Sequence, residues 1–211
     1  VQKWLRSQGW ESNFSPAVRT AKGGRSAGTA VLWRYHLDIC KVHDRKTFPG
    51  GDIGRASAVN INLKDIGLVT IASIYGYIGQ PDKTAAMLNG IVASSPKQHW
   101  IIMGDFNTSR EATQNWVKTS HTQFEVLNFG HTCFSYAGGA SDIDHALMSP
   151  LVHLILRSTE SKDFVLKTHR PIQAVLDTAQ GSKKVHTLVK HARSNTDQVT
   201  GPPLQIAEKL E

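Results

Sequence analysis

Trp100-Ile101-Ile102-Met103-Gly104-Asp105-Phe106-Asn107 is the stretch on which the reading of this sequence turns. Four consecutive apolar residues form a short run of the kind found in strands buried on both faces. Asp105 follows the run directly after Gly104. A strand end suits a functional carboxylate, because the sheet fixes the backbone while the loop exposes the head group. Gly104 lets a backbone or a ligand come close, and Asn107, two residues on, can point to the same side as Asp105. A carboxylate here can orient water or a divalent cation, and an amide beside it can donate to a phosphate oxygen as charge builds. The same Asp/Asn pair is also what an Asx turn after a strand looks like.

On the N-terminal side of this stretch, Pro81-Asp82 opens a helix with Asp82 as its expected N-cap, running to about Ser94 and stopped by Pro96. Before it, Ser57–Leu63 alternates apolar and polar residues, Asp65-Ile66-Gly67 makes a tight connection, and Leu68–Tyr75 is a β-branched run; together they predict a hairpin or meander. Thr29–Arg34 and His36–Val42 read as strands, residues 15–28 and Phe48–Gly54 as loops, and residues 1–10 as the end of a helix stopped at Gly9. On the C-terminal side, a helix is expected around Ala112–Val117. Strands are expected at His131–Phe134, Ile143–Met148, Val152–Leu156 and Ile172–Leu176, with a loop at Ala137–Ser141. Many strands, few helices and short turns predict an α/β or α+β layered domain over residues 1–177. Residues 178–211 are polar, lack periodicity, and read as a linker or tail.

The composition agrees with a globular chain: 211 residues, 40% hydrophobic and 19% charged. No apolar run approaches the roughly 18 residues of a membrane span. The residues from Val1 onward show no charged n-region and apolar h-region, so they are not read as a signal peptide, and the start at Val1 rather than Met suggests a fragment or a processed chain. Cys40 and Cys133 form no Cys-x-x-Cys pair and read as reduced core thiols of an intracellular protein, nuclear or cytoplasmic. The net charge of +7 is uneven: residues 1–55 hold ten Lys/Arg against four Asp/Glu, whereas residues 56–177 hold nine against ten. A basic first segment suits a polyanionic partner, because neutralising phosphates releases counterions; a solvated basic face is the plainer explanation.

Two further phrases carry chemistry. Ser141-Asp142-Ile143-Asp144-His145 opens one strand, and Thr168-His169-Arg170-Pro171 precedes the last. Asp144 can accept from the His169 ring, fixing its tautomer and supporting its imidazolium, and His169 can then contact a phosphate or shuttle a proton. Tyr75, at the end of its strand, offers a phenol. Taken one at a time, each of these residues is more often structural.

In this order, Ala27–Leu32, Ile74-Tyr75-Gly76, Gly104–Asn107, Ser141–His145 and Thr168–Pro171 resemble the successive signatures of the endonuclease/exonuclease/phosphatase superfamily, over about residues 4–177. The resemblance implies a four-layer α/β/β/α sandwich of two mostly antiparallel sheets, with the site at one rim. It also implies Mg²⁺- or Mn²⁺-dependent hydrolysis of a phosphate ester. By position, Asp105 would orient the attacking water and touch the metal, Asn107 would hold the phosphate, Asp144 would pair with His169, and Tyr75 would reach a phosphate oxygen. Trp4 through Trp10, Gly23-Gly24, Ala27-Gly28 and Thr132 through Asp144 look most like the endonuclease domains of LINE-type retrotransposons. That implies a nucleic-acid partner, DNA rather than RNA.

Two departures qualify this. The family opens with a strand carrying Asn and a second ending in Gln-Glu, whose Glu binds metal; here the similarity begins in the helix that follows, so the first two strands are expected to be lacking. The residue before the terminal His is normally Asp and here is Thr168. With few oxygen ligands, a hard cation should bind weakly, and hydrolysis by this chain is expected to be weak or absent. The competing readings are a phosphatase of the same superfamily acting on phosphorylated lipids or small molecules, and a catalytically inactive nucleic-acid-binding module.

Overall fold

The computed structural model describes residues 2–20, 23–41, 54–94, 99–162 and 168–178. The predicted loop Phe48–Gly54 lies largely outside them, as do Pro96 and nearly all of the predicted tail. The centre is a six-stranded sheet ordered β5 (Ile39–Lys41), β6 (Ala56–Leu63), β7 (Gly67–Tyr75), β8 (His99–Asp105), β12 (Asp144–Met148) and β9 (Glu125–Leu127). All neighbours are antiparallel except β7 and β8, which run parallel through the crossover helix α2 (Pro81–Ala93). The β6–β7 turn is made by Asp65 and Gly67, both at positive φ (67° and 91°).

Alternation along these strands sorts side chains onto two faces. One face carries Ala58, Ala72, Ile74, Ile102, Phe106 and Leu147 against α2 and α3 (Arg110–Thr119). Helix α2 presents Thr84, Met87, Leu88 and Ile91 at the three-and-four spacing that makes one helical stripe. It starts with Pro81 at its first turn after Gln80, so Asp82 lies in the first turn and is not the N-cap. Helix α3 is capped by Ser109, whose side chain accepts from the Ala112 N–H at 3.2 Å.

The opposite face carries Val69, Ile71, Ile101, Met103, Ala146 and Met148. It is covered by two separate antiparallel pairs. Strand β4 (Thr29–Arg34), paired with β1 (Trp10–Ser15), lies against β6 and β7, and the Asn13 side chain donates to the Ala58 carbonyl at 2.8 Å. Strand β14 (Ile172–Leu176), paired with β13 (Leu156–Ser161), adds Leu156, Ile172, Ala174 and Leu176. No ladder joins the two pairs among the described residues. Ile71 and Met103 are accordingly only half-buried, while Ala72 and Ile102 on the helix face are 1% and 0% exposed. The layered α/β architecture of two sheets is as the sequence predicts, with the second sheet present as these two pairs.

Several local expectations change. Val152–Leu156 is not a strand: Pro150, preferred at a helix first turn, starts the short helix α4 (Pro150–His153), and β13 begins only at Leu156. His36 and Leu37 lie in a turn, so β5 starts at Ile39 rather than at His36. Within the expected loop 15–28, β2 (Val18–Arg19) and β3 (Arg25–Ser26) form a small hairpin. His131–Phe134 shortens to β10 (Cys133–Phe134), paired with β11 (Ala140–Ser141). Neither cysteine is a core thiol: Cys40 is exposed on the edge strand β5, and Cys133 is half-buried. No helix among the described residues is long and apolar enough to cross a membrane.

Candidate active site at the rim of the central sheet

Asp105 ends β8, where register sets its neighbours. Its partner on parallel β7 is Tyr75, and its partner on antiparallel β12 is Asp144. Three predicted site residues therefore stand in one row across three strands, on the face turned away from α2 and α3. Asp105 and Asp144 are like charges directly opposite each other, a destabilising arrangement unless a cation relieves it. Burial raises the Asp105 pKa from its ordinary value, against the backbone hydrogen bond from Asn107, and the charge of Asp144 pushes it the same way as burial.

Backbone fit makes this rim. A side chain on Gly76 would collide with the Phe106 carbonyl, and one on Gly104 with the Ile74 carbonyl. The Gly76 N–H donates to the Asp105 carbonyl at 2.6 Å. Asn107 sits at φ 51°, with its N–H on Asp105 Oδ1 at 2.9 Å and its Nδ2 on the Gly76 carbonyl at 3.2 Å. The Asx turn is thus formed, and one of the two amide hydrogens is spent on Gly76. Arg55, which sequence reasoning did not single out, reaches the same place: Nη1 donates to the Gly76 carbonyl at 2.8 Å, and its guanidinium lies 4.1 Å from the Tyr77 ring and 5.5 Å from the Tyr75 ring.

His169 is brought in by pairing of the loop 168–170 with the segment before Asp144. The Phe134 N–H donates to the Thr168 carbonyl at 2.7 Å, and the Arg170 N–H to the Thr132 carbonyl at 2.7 Å. Thr132 Oγ1 in turn accepts from the Asp144 N–H at 3.3 Å. His169 Nδ1 then lies 3.0 and 3.3 Å from the two Asp144 oxygens. An ionised carboxylate only accepts, so Nδ1 is the nitrogen that donates to Asp144, and Nε2 is turned outward. Cys133 Sγ lies 3.6 Å from that Nε2, a contact that sequence reasoning missed. Among the described residues, Asp105, Asp144 and His169 are the one group of three whose ligand atoms all lie within 4.8 Å of one another.

A second Asp–His pair sits beside the first. His145 points to the opposite face of β12 and is fully buried against Phe106, ring centroids 5.2 Å apart. Its Nε2 is 3.0 Å from the Thr108 carbonyl, and its Nδ1 is 3.2 Å from Asp142 Oδ1, an ion-pair distance without hydrogen-bond alignment. Arg110 holds the other Asp142 oxygen at 3.3 Å. Burial lowers the His145 pKa. This pair ties the loop after Asp105 to the strand that carries Asp144.

With the row Tyr75–Asp105–Asp144 and the Asp144–His169 pair placed, the family comparison is decisive: residues 2–161 match the model of the Endonuclease/Exonuclease/phosphatase family. The chain belongs to that family. Solved structures share its fold. A 3′ phosphatase from Neisseria, NExo, bound to product DNA hairpin, is 16% identical over 83% of this chain and 82% of its own, with a TM-score of 0.60. The endonuclease domain of TRAS1, a telomere-specific non-LTR retrotransposon, is 14% identical over 78% and 80%, with a TM-score of 0.59. An AP endonuclease from Archaeoglobus fulgidus is 14% identical over 83% and 82%, with a TM-score of 0.53. No curated protein matches the chain.

Proposed function

We propose that this member of the endonuclease/exonuclease/phosphatase family is an endonuclease-like domain whose rim site acts on a phosphodiester of nucleic acid, DNA in preference to RNA, with a divalent cation and slow turnover. The observation that carries the reading is the row of Tyr75, Asp105 and Asp144 with His169 held on Asp144. Carboxylate, imidazole and phenol there surround one open rim, the set of groups that hydrolysis of a phosphate ester uses.

Each residue has a task its position allows. Asp105, with its raised pKa, orients a water and takes up its proton. Asp144 keeps the hydrogen on His169 Nδ1, so that Nε2 can accept a proton and, once protonated, donate to a phosphate oxygen. The second Asn107 amide hydrogen and the Tyr75 phenol are donors to the same group. Mg²⁺ or Mn²⁺, when bound, would supply charge against the phosphate. Asp105 is the carboxylate left to hold it, since both Asp144 oxygens face His169. One carboxylate, with Thr168 where the resemblance implies another, fits a hard cation thinly. That is why slow turnover is expected. The likeness to the TRAS1 domain supports an origin in a retroelement.

A second reading, binding without turnover, is favoured by that thin donor set. The experiment incubates the purified chain with supercoiled DNA and, separately, with phosphomonoesters such as inositol phosphates, in Mg²⁺ and in Mn²⁺. Slow nicking of DNA without release of inorganic phosphate from the monoesters is expected. Faster release from a monoester would replace the endonuclease reading with a phosphatase; no reaction on either, with DNA still bound, would leave the binding module.

A further inference from the structure

The hairpin of β2 and β3 sets two arginines directly opposite each other, Arg19 across from Arg25. Side chains at directly opposite positions of an antiparallel pair project from the same face with Cβ atoms about 5 Å apart, and like charges there repel. Both are exposed, and no described residue forms an ion pair with either. The sequence supplies no Asp or Glu anywhere from 12 to 37. A concave surface lined by Pro16, Ala17, Arg19, Gly23 and Arg25 lies beside them, and among the described residues the two guanidinium groups are its only charges.

The hairpin is fixed at its base. The Gly28 N–H donates to the Gly54 carbonyl at 2.8 Å, and the Gly54 N–H to Ser15 Oγ at 3.1 Å. Gly54 lies so close to the Pro16 carbonyl that a Cβ there would not fit. The next residue, Arg55, joins the hairpin to the rim: Nη2 reaches Ser26 Oγ at 3.5 Å, while Nη1 donates to the Gly76 carbonyl that Asn107 also uses.

We propose that Arg19 and Arg25 clip a backbone phosphate of a polynucleotide, separate from the phosphate at Asp105. This rests on the function proposed above and sharpens it. A repelling arginine pair is relieved by one anion held between the two forks, a geometry that favours phosphate. A second phosphate grip, linked to the rim through Arg55, is useful only to a substrate that carries phosphates in series, so the clip selects a polymer over a small phosphate ester.

The test is salt-dependent binding of a labelled DNA duplex, followed by fluorescence anisotropy, for the full chain and for the Arg19→Ala/Arg25→Ala double variant. The two arginines share one phosphate, so its loss in the double variant should flatten the plot of log K against log salt by about 0.9. Arg19→Glu keeps folding out of the argument, because an opposite-charge pair with Arg25 favours the hairpin; it should lose as much or more. An unchanged slope in either variant overturns the clip and leaves the proposed function standing. A wild-type chain without salt-dependent binding to any nucleic acid overturns both. Displacement of the duplex by phosphatidylserine vesicles at equal phosphate overturns nucleic acid as the partner of the clip.

Discussion

Strand β12 begins with two Asp–His pairs made of nearly the same parts, and they differ in almost everything else. Asp144 and His169 meet at the rim, with the His169 side chain 36% exposed. Asp142 and His145 meet on the other face, with the His145 side chain 0% exposed and both its nitrogens turned to oxygen atoms of the protein. In the first pair Cys133 is the described residue that contacts the imidazole at Nε2. In the second the imidazole is a strut between the loop after Asp105 and the strand that carries Asp144. The sequence of the pair is the same chemistry twice; burial decides that one can serve a ligand and the other holds the fold.

The largest expected effect breaks the exposed pair. His169→Ala should lower residual DNA hydrolysis by roughly 10²-fold or more, the usual size of a lost general acid–base group. It should move the denaturant midpoint by the equivalent of about 0.5 kcal/mol or less, as at other surface positions. Next comes the buried pair. His145→Ala leaves Asp142 beside a cavity against Phe106, and urea unfolding should show a loss of about 2–4 kcal/mol. The burial that lowers the His145 pKa also fixes a sign. The folded state resists charging this ring, so the stability it supports is present above the ordinary imidazole range and is lost as pH falls through it. His145→Gln, which keeps an amide donor and has nothing to titrate, should flatten that acid-side fall. If both histidines gave the same balance of stability and activity losses, the distinction between the pairs would be wrong.

A smaller effect sharpens the row between the strands. Because burial and Asp144 raise the Asp105 pKa, the folded state binds a proton more tightly than the unfolded chain, and wild-type stability falls as pH rises through the carboxylate range. Asp105→Asn should therefore be more stable than wild type at pH 7, by about 1 kcal/mol or less, and should match it well below the carboxylate range. Thermal unfolding at the two pH values checks this. The smallest effect is at Cys133, where Cys133→Ala removes the thiol over His169 Nε2. It should change stability by about 0.5 kcal/mol or less without lowering hydrolysis. A large loss of hydrolysis would give the thiol a part in the chemistry.

What the sequence disclosed follows from how local each signal is. Trp100–Met103 announces a buried strand because its own side chains say so, and Asp105 is placed by that strand alone. Asp144–His169 needed two distant motifs and the resemblance that orders them. Val152–Leu156 misled, since a short, mostly apolar run does not tell strand from helix, while Ser149-Pro150 carried the helix start. Strand alternation already implied that Asp144 and His145 face opposite ways, and that signal could have separated the two pairs beforehand. The Cys133 contact across 36 residues and the Arg55 link from Ser26 to Gly76 depend on chain pairings that no local pattern encodes.

On the function proposed above, Asp105 and a hard divalent cation act together on a phosphodiester. This is tested most directly by following nicking of supercoiled DNA over time while Mn²⁺ or Mg²⁺ is titrated, with wild type and Asp105→Asn side by side. Slow nicking that rises with cation and disappears in Asp105→Asn is the predicted result. Nicking that persists in chelator, or that survives in Asp105→Asn at the wild-type rate, would contradict it.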